Sequence, residues 1–417
     1  MAAIRHMALW RQLRVPPTAV LLVTIALSLI RARDQPGIDV GIGNTTATIV
    51  PGDVALLVLL AVACVTIART GVERTMRLAL AGGAAFVALV VASGATNGAA
   101  AFVGAGKLAE LSVLALAGAV LVRSDDRLEA VVDVLLAFTI AADVIGVAQF
   151  VSGGGGRQSA FLGEHDFAAL AALPLLYGLM LAFDGRRPRR AALAIGAGGI
   201  GCILGAALAS LLGLYLGALA LVVVVAVRGR LALRPLALSV AVVAVVTAGT
   251  LTIRAGDLGF LQSWFGKPPS RPGQYAASWS QRLIYTYVGE RVFLASPVLG
   301  TGWYPELPPK EFVRFLPDAR RRFADQPARY FPPPDRPLIP QQAFDEVSAE
   351  VGLVGSAAFL VLLAATARRA ARSPLAAAWL AAAVGAIAGE ALFGGTPLTA
   401  TFFLAVGLCL AIGTWPA

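Results

Sequence analysis

Apolar residues run through this chain in long unbroken segments rather than in amphipathic stripes. They cover approximately 15–30, 53–68, 78–96, 100–122, 128–151, 165–183, 191–209, 210–227, 235–252, 347–366, 375–392 and 397–415. A helix needs about 20 residues to cross a bilayer core, whereas a membrane strand needs only about 10 alternating ones. The pattern therefore predicts an all-α integral membrane protein with about twelve transmembrane helices. The long run over 191–227 is split into a hairpin near Ala209-Ser210, because the charges in the flanking loops require it. Arg5, Arg11 and Arg14 ahead of the first segment give it the look of a signal peptide. Arg31-Ala32-Arg33-Asp34 is a poor cleavage site, however, and further spans follow, so a retained first helix is expected.

The polar positions between segments predict orientation. With the amino terminus inside, the short inner loops hold 18 arginines and the short outer loops only Arg31, Arg33 and Arg157. A bias of that size places both termini in the cytoplasm. One connection departs from the pattern: residues 253–346, between the helices of 1–252 and those of 347–417, carry 12 Lys/Arg and 9 Asp/Glu. A connection so long in a compact fold usually carries function, and the topology makes it extracytoplasmic. Within it, Ser278–Leu294 has Leu283, Val288 and Phe293 at helical spacing and is expected to form an amphipathic helix on the membrane surface, stopped by Pro297 and Gly300.

Composition then narrows the class. Of 417 residues, 58% are hydrophobic and 14% charged, which excludes a secreted soluble enzyme or a disordered scaffold. The net charge of +10 is accounted for by the inner loops and their anionic leaflet, so no nucleic-acid partner is expected. Cys64, Cys202 and Cys409 lie inside apolar runs and form no metal or redox pattern. Lys107, Glu110, Asp143 and Glu390 fall in the outer halves of their helices, where a charge is costly unless paired or wet. Lys107 can pair with Glu110 three residues on, or with Asp143 on the neighbouring helix; the alternative is that these groups line a polar cavity under the outer segment.

Three stretches together resemble the O-antigen ligase family, which includes related polysaccharide polymerases. Arg157-Gln-Ser-Ala-Phe161-Leu-Gly163-Glu-His165-Asp166-Phe-Ala168 looks like the family's Gly-Thr-Phe-Gly-x-x-Asn-x-x-Ala segment. Arg282-Leu283, a helix, then Pro297-Val-Leu-Gly300-Thr-Gly302 is similar to the family's Arg-Leu and Pro-Leu-Leu-Gly-Val-Gly run. Gln341-Gln342 followed by Ala349-Glu350-Val-Gly352 has the spacing of the family's His-Asn pair and Ala-Glu-x-Gly. The sequence resemblance covers about sixty residues; the topological one covers most of the chain.

The resemblance implies a metal-independent membrane glycosyltransferase without a cofactor. It would move a glycan from a polyprenyl-pyrophosphate carrier to a hydroxyl of a glycan, lipid or protein acceptor, at the outer face of a bacterial cytoplasmic membrane, within cell-envelope polysaccharide assembly. Such chemistry needs fixed cations for the pyrophosphate, for which arginine's planar donors suit, and a base or acceptor for the incoming hydroxyl. His165, Gln341 and Glu350 are the candidates for catalysis. Arg157, Asp166, Arg282, Arg291, Gln342 and Asp345 are the candidates for substrate binding, with Arg282 at a family position and Gln342 suited to a sugar hydroxyl. His165 and Asp166 equally suit a helix amino terminus, where Asp is a good cap. The run Arg320-Arg321-Arg322 reads by default as a solvated patch.

Two family positions differ. Gln341 stands where histidine is usual, and glutamine takes no proton. Leu211 stands where arginine follows serine at an outer turn. Substitution by nearby groups, a divergent transferase, or a catalytically inactive member of a glycan-assembly complex all fit these departures. A secondary transporter or flippase is the competing class; twelve spans suit it, while the absence of a visible internal repeat and the single long outer connection speak against it.

Overall fold

The computed structural model describes residues 16–153, 155–185, 187–255, 275–304, 307–338, 343–393 and 398–412. These are helical almost throughout: α1 (Pro17–Leu29), α2 (Pro51–Thr70), α3 (Arg77–Thr96), α4 (Ala99–Leu121), α5 (Asp125–Ser152), α6 (Glu164–Asp184), α7 (Pro188–Gly205), α8 (Leu208–Val227), α9 (Leu233–Ile253), α10 (Tyr275–Ala295), the short α11 (Pro309–Phe312) and α12 (Leu316–Arg322), then α13 (Ala343–Ala370), α14 (Pro374–Phe393) and α15 (Ala400–Ile412). Eight of the described helices, α2–α6, α8, α9 and α13, are long and apolar enough to cross a membrane. The chain is an all-α, multi-pass membrane protein.

Small residues let the helices touch backbone to backbone. α14 packs along α8, α7 along α6, α13 along α3 and α15 along α4. A Cβ on Gly213 of α8 would come within 2.4 Å of the Ala382 carbonyl oxygen of α14, and one on Gly198 of α7 within 2.6 Å of the Ala171 carbonyl oxygen of α6. Lipid tails are as apolar as leucine, so such close van der Waals contact, not apolar burial alone, holds transmembrane helices together. Trp379 is fully buried and donates its Nε1–H to the Leu173 carbonyl at 2.9 Å, tying α14 to α6.

Several boundaries differ from the sequence expectation. The α7–α8 break falls at Ala206, which adopts a left-handed φ of 44°, rather than at Ala209-Ser210. α13 begins at Ala343 rather than 347. The first outer connection contains a hairpin that was not expected, β1 (Ile38–Ile42) antiparallel to β2 (Thr45–Ile49), turning at Gly43 with φ 60°.

The long connection folds on a core of its own. Ile284, Val288 and Val292 of α10, spaced by four residues, are completely buried with Leu307, Phe312, Leu316 and Leu338. The expected face, Leu283–Val288–Phe293, therefore shares only Val288 with the buried stripe; Leu283 is exposed, and the stripe of α10 is covered by protein instead of lipid. Arg291 and Tyr287 of α10 reach Asp318 of α12 at 2.9 and 2.6 Å. These donors, with Arg321, hold the Asp318 carboxyl below the ordinary aspartate range.

α13 is two helical pieces joined at Gly352, whose φ of 61° and ψ of −162° interrupt the ladder. The segment after α10 fills the interruption. Thr301 and Gly302 donate their N–H groups to the Ala349 and Glu350 carbonyls at 3.0 and 2.8 Å, while Leu353 and Val354 donate to the Pro297 and Val298 carbonyls at 2.8 and 3.2 Å. Backbone groups freed by the break thus find partners within the protein, as a membrane environment demands.

Candidate functional site

The amino end of α6 and the end of α10 nearest Arg282 bring a set of arginines to one histidine. Gly163, with φ 108°, turns the chain into α6, so that Glu164, His165 and Asp166 occupy its first turn. The guanidinium groups of Arg157, Arg282 and Arg254 all act on His165. Arg157 is held by Glu164 at 2.8 Å and by the Gly205 carbonyl at 3.3 Å. Arg31 lies against the Gly163 backbone, 2.9 Å from where a Cβ would stand, and its charge reaches Asp166. The Nδ1 of His165 is buried without a hydrogen-bond partner among the described residues.

A line of carboxylates borders this basic group. The charge of Asp166, on α6, reaches Glu390 of α14; that of Glu390 reaches Glu346 of α13; and Glu346 shares its helix with Asp345 and Glu350. Glu390 accepts the Ala343 N–H and so serves the amino end of α13. Glu350 is 0% exposed; one oxygen accepts the Tyr304 N–H at 3.2 Å, and Oε1 has no partner among the described residues. Asp345 lies under α10, with its Oδ1 2.3 Å from where a Cβ on Gly289 would stand, so only glycine fits there. Tyr304 and Trp303 bind the connection to α3: the Tyr304 hydroxyl donates to Asn97 Oδ1 at 2.9 Å, and the Trp303 N–H donates to Ser93 Oγ at 2.8 Å. Burial pushes the Tyr304 phenol above its ordinary value, which keeps it a donor.

Two cavities meet at Asp166. A narrow cleft is lined by His165, Asp166, Ser210, Glu390 and Thr399. A wider cavity of about 510 Å³ is lined by Asp166 and Thr399 as well, then by Arg31, Asp53, Lys107 and Glu110 among apolar residues such as Leu29, Leu56 and Leu111. Lys107 bonds Asp53 of α2 and reaches Glu110 at 3.4 Å. The expected alternative partner, Asp143, is elsewhere: it lies beside Gly201 of α7, and its Oδ1 is buried without a partner among the described residues.

Of the residues singled out in the sequence, His165, Asp166, Arg157 and Arg282 come together, and Glu350 and Asp345 belong to the adjoining carboxylate line. Arg291 is engaged instead with Asp318 in the core of the connection. Gln341 and Gln342 lie outside the described residues. Arg254, Arg31 and Glu390 complete the arrangement. Arg254 and Arg31 sit just past helix ends, where a basic residue reads as an ordinary flank, whereas Glu390 is one of the charges in an outer helix half that the sequence already marked. Chemically the arrangement offers cations for a phosphate, an imidazole and carboxylates for a hydroxyl proton, and an apolar-walled cavity alongside. No protein-family model matches the chain, and no curated protein matches it.

Proposed function

We propose that the chain transfers or polymerises a glycan from a polyprenyl-pyrophosphate carrier onto an acceptor hydroxyl at the outer face of the cytoplasmic membrane, with twelve spans and the connection 253–346 outside. The observation that carries this reading is that the charges of Arg157, Arg254 and Arg282 all reach His165 at a helix mouth, where Arg157 is held by Glu164. A pyrophosphate leaving group needs several guanidinium groups at one depth, and the amino end of α6 adds the positive end of its dipole. The acceptor oxygen would attack the anomeric carbon while the bond from that carbon to the pyrophosphate oxygen breaks. His165 would take the hydroxyl proton, and the arginines would hold the departing anion. Glu350 and Asp345, buried beneath the connection, would brace it over the site through Tyr304 and α10. The carrier's isoprenoid would lie in the cavity walled by Leu29, Leu56 and Leu111.

The test is reconstitution in liposomes with a polyprenyl-pyrophosphate-linked oligosaccharide and a hydroxyl-bearing acceptor, following release of polyprenyl pyrophosphate. Release coupled to acceptor glycosylation supports the reading, and intact carrier after prolonged incubation contradicts it. The carboxylate line from Asp166 through Glu390 and Glu346 to Glu350 favours a second reading, proton-coupled transport. That reading requires solute uptake driven by a pH gradient in the same vesicles.

A further inference from the structure

At the end of the bundle opposite His165, a cavity of about 540 Å³ opens among the ends of α5, α6, α8, α14 and α15. Arg228 and Arg230, from the turn after α8, and Arg372, from the turn before α14, contribute to its lining. Arg228 donates to the Arg372 carbonyl, which fixes the two turns together. The acids that share the lining are Asp125, Glu129 and Asp184. Glu129 is engaged by Arg187 and by Arg190, and among the described residues no carboxylate lies within ion-pair distance of Arg228, Arg230 or Arg372. Arg372 acts at longer range on Glu73. α14 opens beside the same space, and Ser373 caps it by accepting the Ala376 N–H at 3.4 Å. The lining also includes the apolar side chains of Leu128, Leu181 and Leu375.

Loop arginines that only set topology point separately into water. Here arginines from two turns are tied together in the lining of one cavity that also holds apolar side chains. A ligand that fits must carry a compact anion and an apolar portion. We infer that this cavity binds the phosphodiester headgroup of an anionic phospholipid, with Arg228, Arg230 and Arg372 around the phosphate and the first part of an acyl chain against Leu128 and Leu375. The inference is independent of the glycan-transfer reading, since it uses the other end of the bundle.

The test is native mass spectrometry of the full chain in neutral detergent, titrated with phosphatidylglycerol or phosphatidylcholine of matched acyl chains. Phosphatidylglycerol is retained selectively. Because Arg228 also joins the two turns, the variant is the pair Arg230→Gln and Arg372→Gln, compared with Arg69→Gln and Arg74→Gln, which lie outside the cavity. At roughly five-fold for each basic residue, the first pair weakens retention about twenty-five-fold and the second leaves it unchanged. A thermal midpoint equal to wild type checks that the first pair folds; if it does not, Arg230→Gln alone, which touches no backbone partner, is expected to weaken retention about five-fold. Equal retention of both lipids, or equal losses in both pairs, overturns the site. Displacement of phosphatidylglycerol by millimolar inorganic phosphate overturns the lipid as its occupant in favour of a soluble phosphate ester.

Discussion

The backbone of Gly300 lies against that of Gly352: a Cβ on Gly352 would come within 2.5 Å of the Gly300 nitrogen, and one on Gly300 within 2.3 Å of the Glu350 carbonyl carbon. Both glycines have positive φ, 70° and 61°. This contact is where the long connection plugs the break in α13, and it fixes Glu350 beside Tyr304 and below α10. Gly300→Ala or Gly352→Ala would meet both a steric clash and a left-handed backbone that alanine tolerates poorly. Each is expected to destabilise the joint by about 1–3 kcal/mol. The readout is faster limited proteolysis of the connection, with a smaller change in the thermal midpoint of the bundle. Wild-type proteolysis rates in both variants would mean that the connection is held elsewhere.

A gentler change probes the same joint. Tyr304→Phe removes the hydrogen bond to Asn97 and keeps the ring in place, so a loss of about 1 kcal/mol is expected in thermal unfolding. Asn97→Ala, which leaves the buried Tyr304 hydroxyl without its acceptor, is expected to cost at least as much. If the Asn97 variant proves the milder of the two, the hydroxyl has another acceptor.

At the other end of the bundle, Arg369 is only 2% exposed and donates to Glu73 at 2.8 Å, to Thr75 and to the Leu410 carbonyl. The hydrogen bond from Arg369 holds the Glu73 carboxyl below its ordinary value. A depressed carboxylate stabilises the fold fully above its unfolded value, and that contribution is lost as pH falls through the folded value. The thermal midpoint should therefore fall on acidification below pH 4.5 in the wild type, and this component should be absent in Glu73→Gln. Arg369→Ala leaves the Leu410 and Thr75 acceptors unserved and should destabilise at every pH. An acid limb of the same size in Glu73→Gln would assign it to other carboxyls.

Much of the fold was legible because membrane helices announce themselves by length and apolarity, with no tertiary context needed. The glycines at 300, 302 and 352 were also visible in the sequence; what their spacing alone did not reveal was that Gly300 and Gly352 interlock. The misses share a cause. Lys107 does reach Glu110, as the spacing suggested, but Asp53 on α2 bonds it instead of Asp143, because chain order does not decide which helices adjoin in space. The buried face of α10 runs through Ile284 and Val292 rather than Leu283 and Phe293 because it packs on Leu307, Phe312 and Leu338, distant in sequence, where the expectation assumed lipid. The hairpin at 38–49 was overlooked among spans, although Gly43-Asn44 between two β-branched runs is a turn signal. Arg254 and Arg31 gained meaning only when the fold brought their charges to the first turn of α6.

The topology that the arginine bias predicts can be read directly in cells. An Arg320→Cys variant, in a background where Cys64 is replaced by alanine and Cys202 and Cys409 stay buried, should react with a membrane-impermeant maleimide added to intact cells. An Arg230→Cys variant should react only after permeabilisation. The reverse pattern would put the His165 cluster on the cytoplasmic side and remove the basis for an outward-facing reaction.

Arg282 distinguishes the proposed chemistry from a merely structural cluster, because it joins Arg157 and Arg254 around His165 whereas Arg320 stacks over Phe331 in the connection. Turnover of a polyprenyl-pyrophosphate-linked glycan should be measured for Arg282→Ala and Arg320→Ala in the same vesicles, with equal protein incorporated. The account predicts a loss of roughly a hundred-fold or more for Arg282→Ala, as for removal of one fixed donor to a developing anion, and near-wild-type turnover for Arg320→Ala. Equal turnover by the two variants would contradict it.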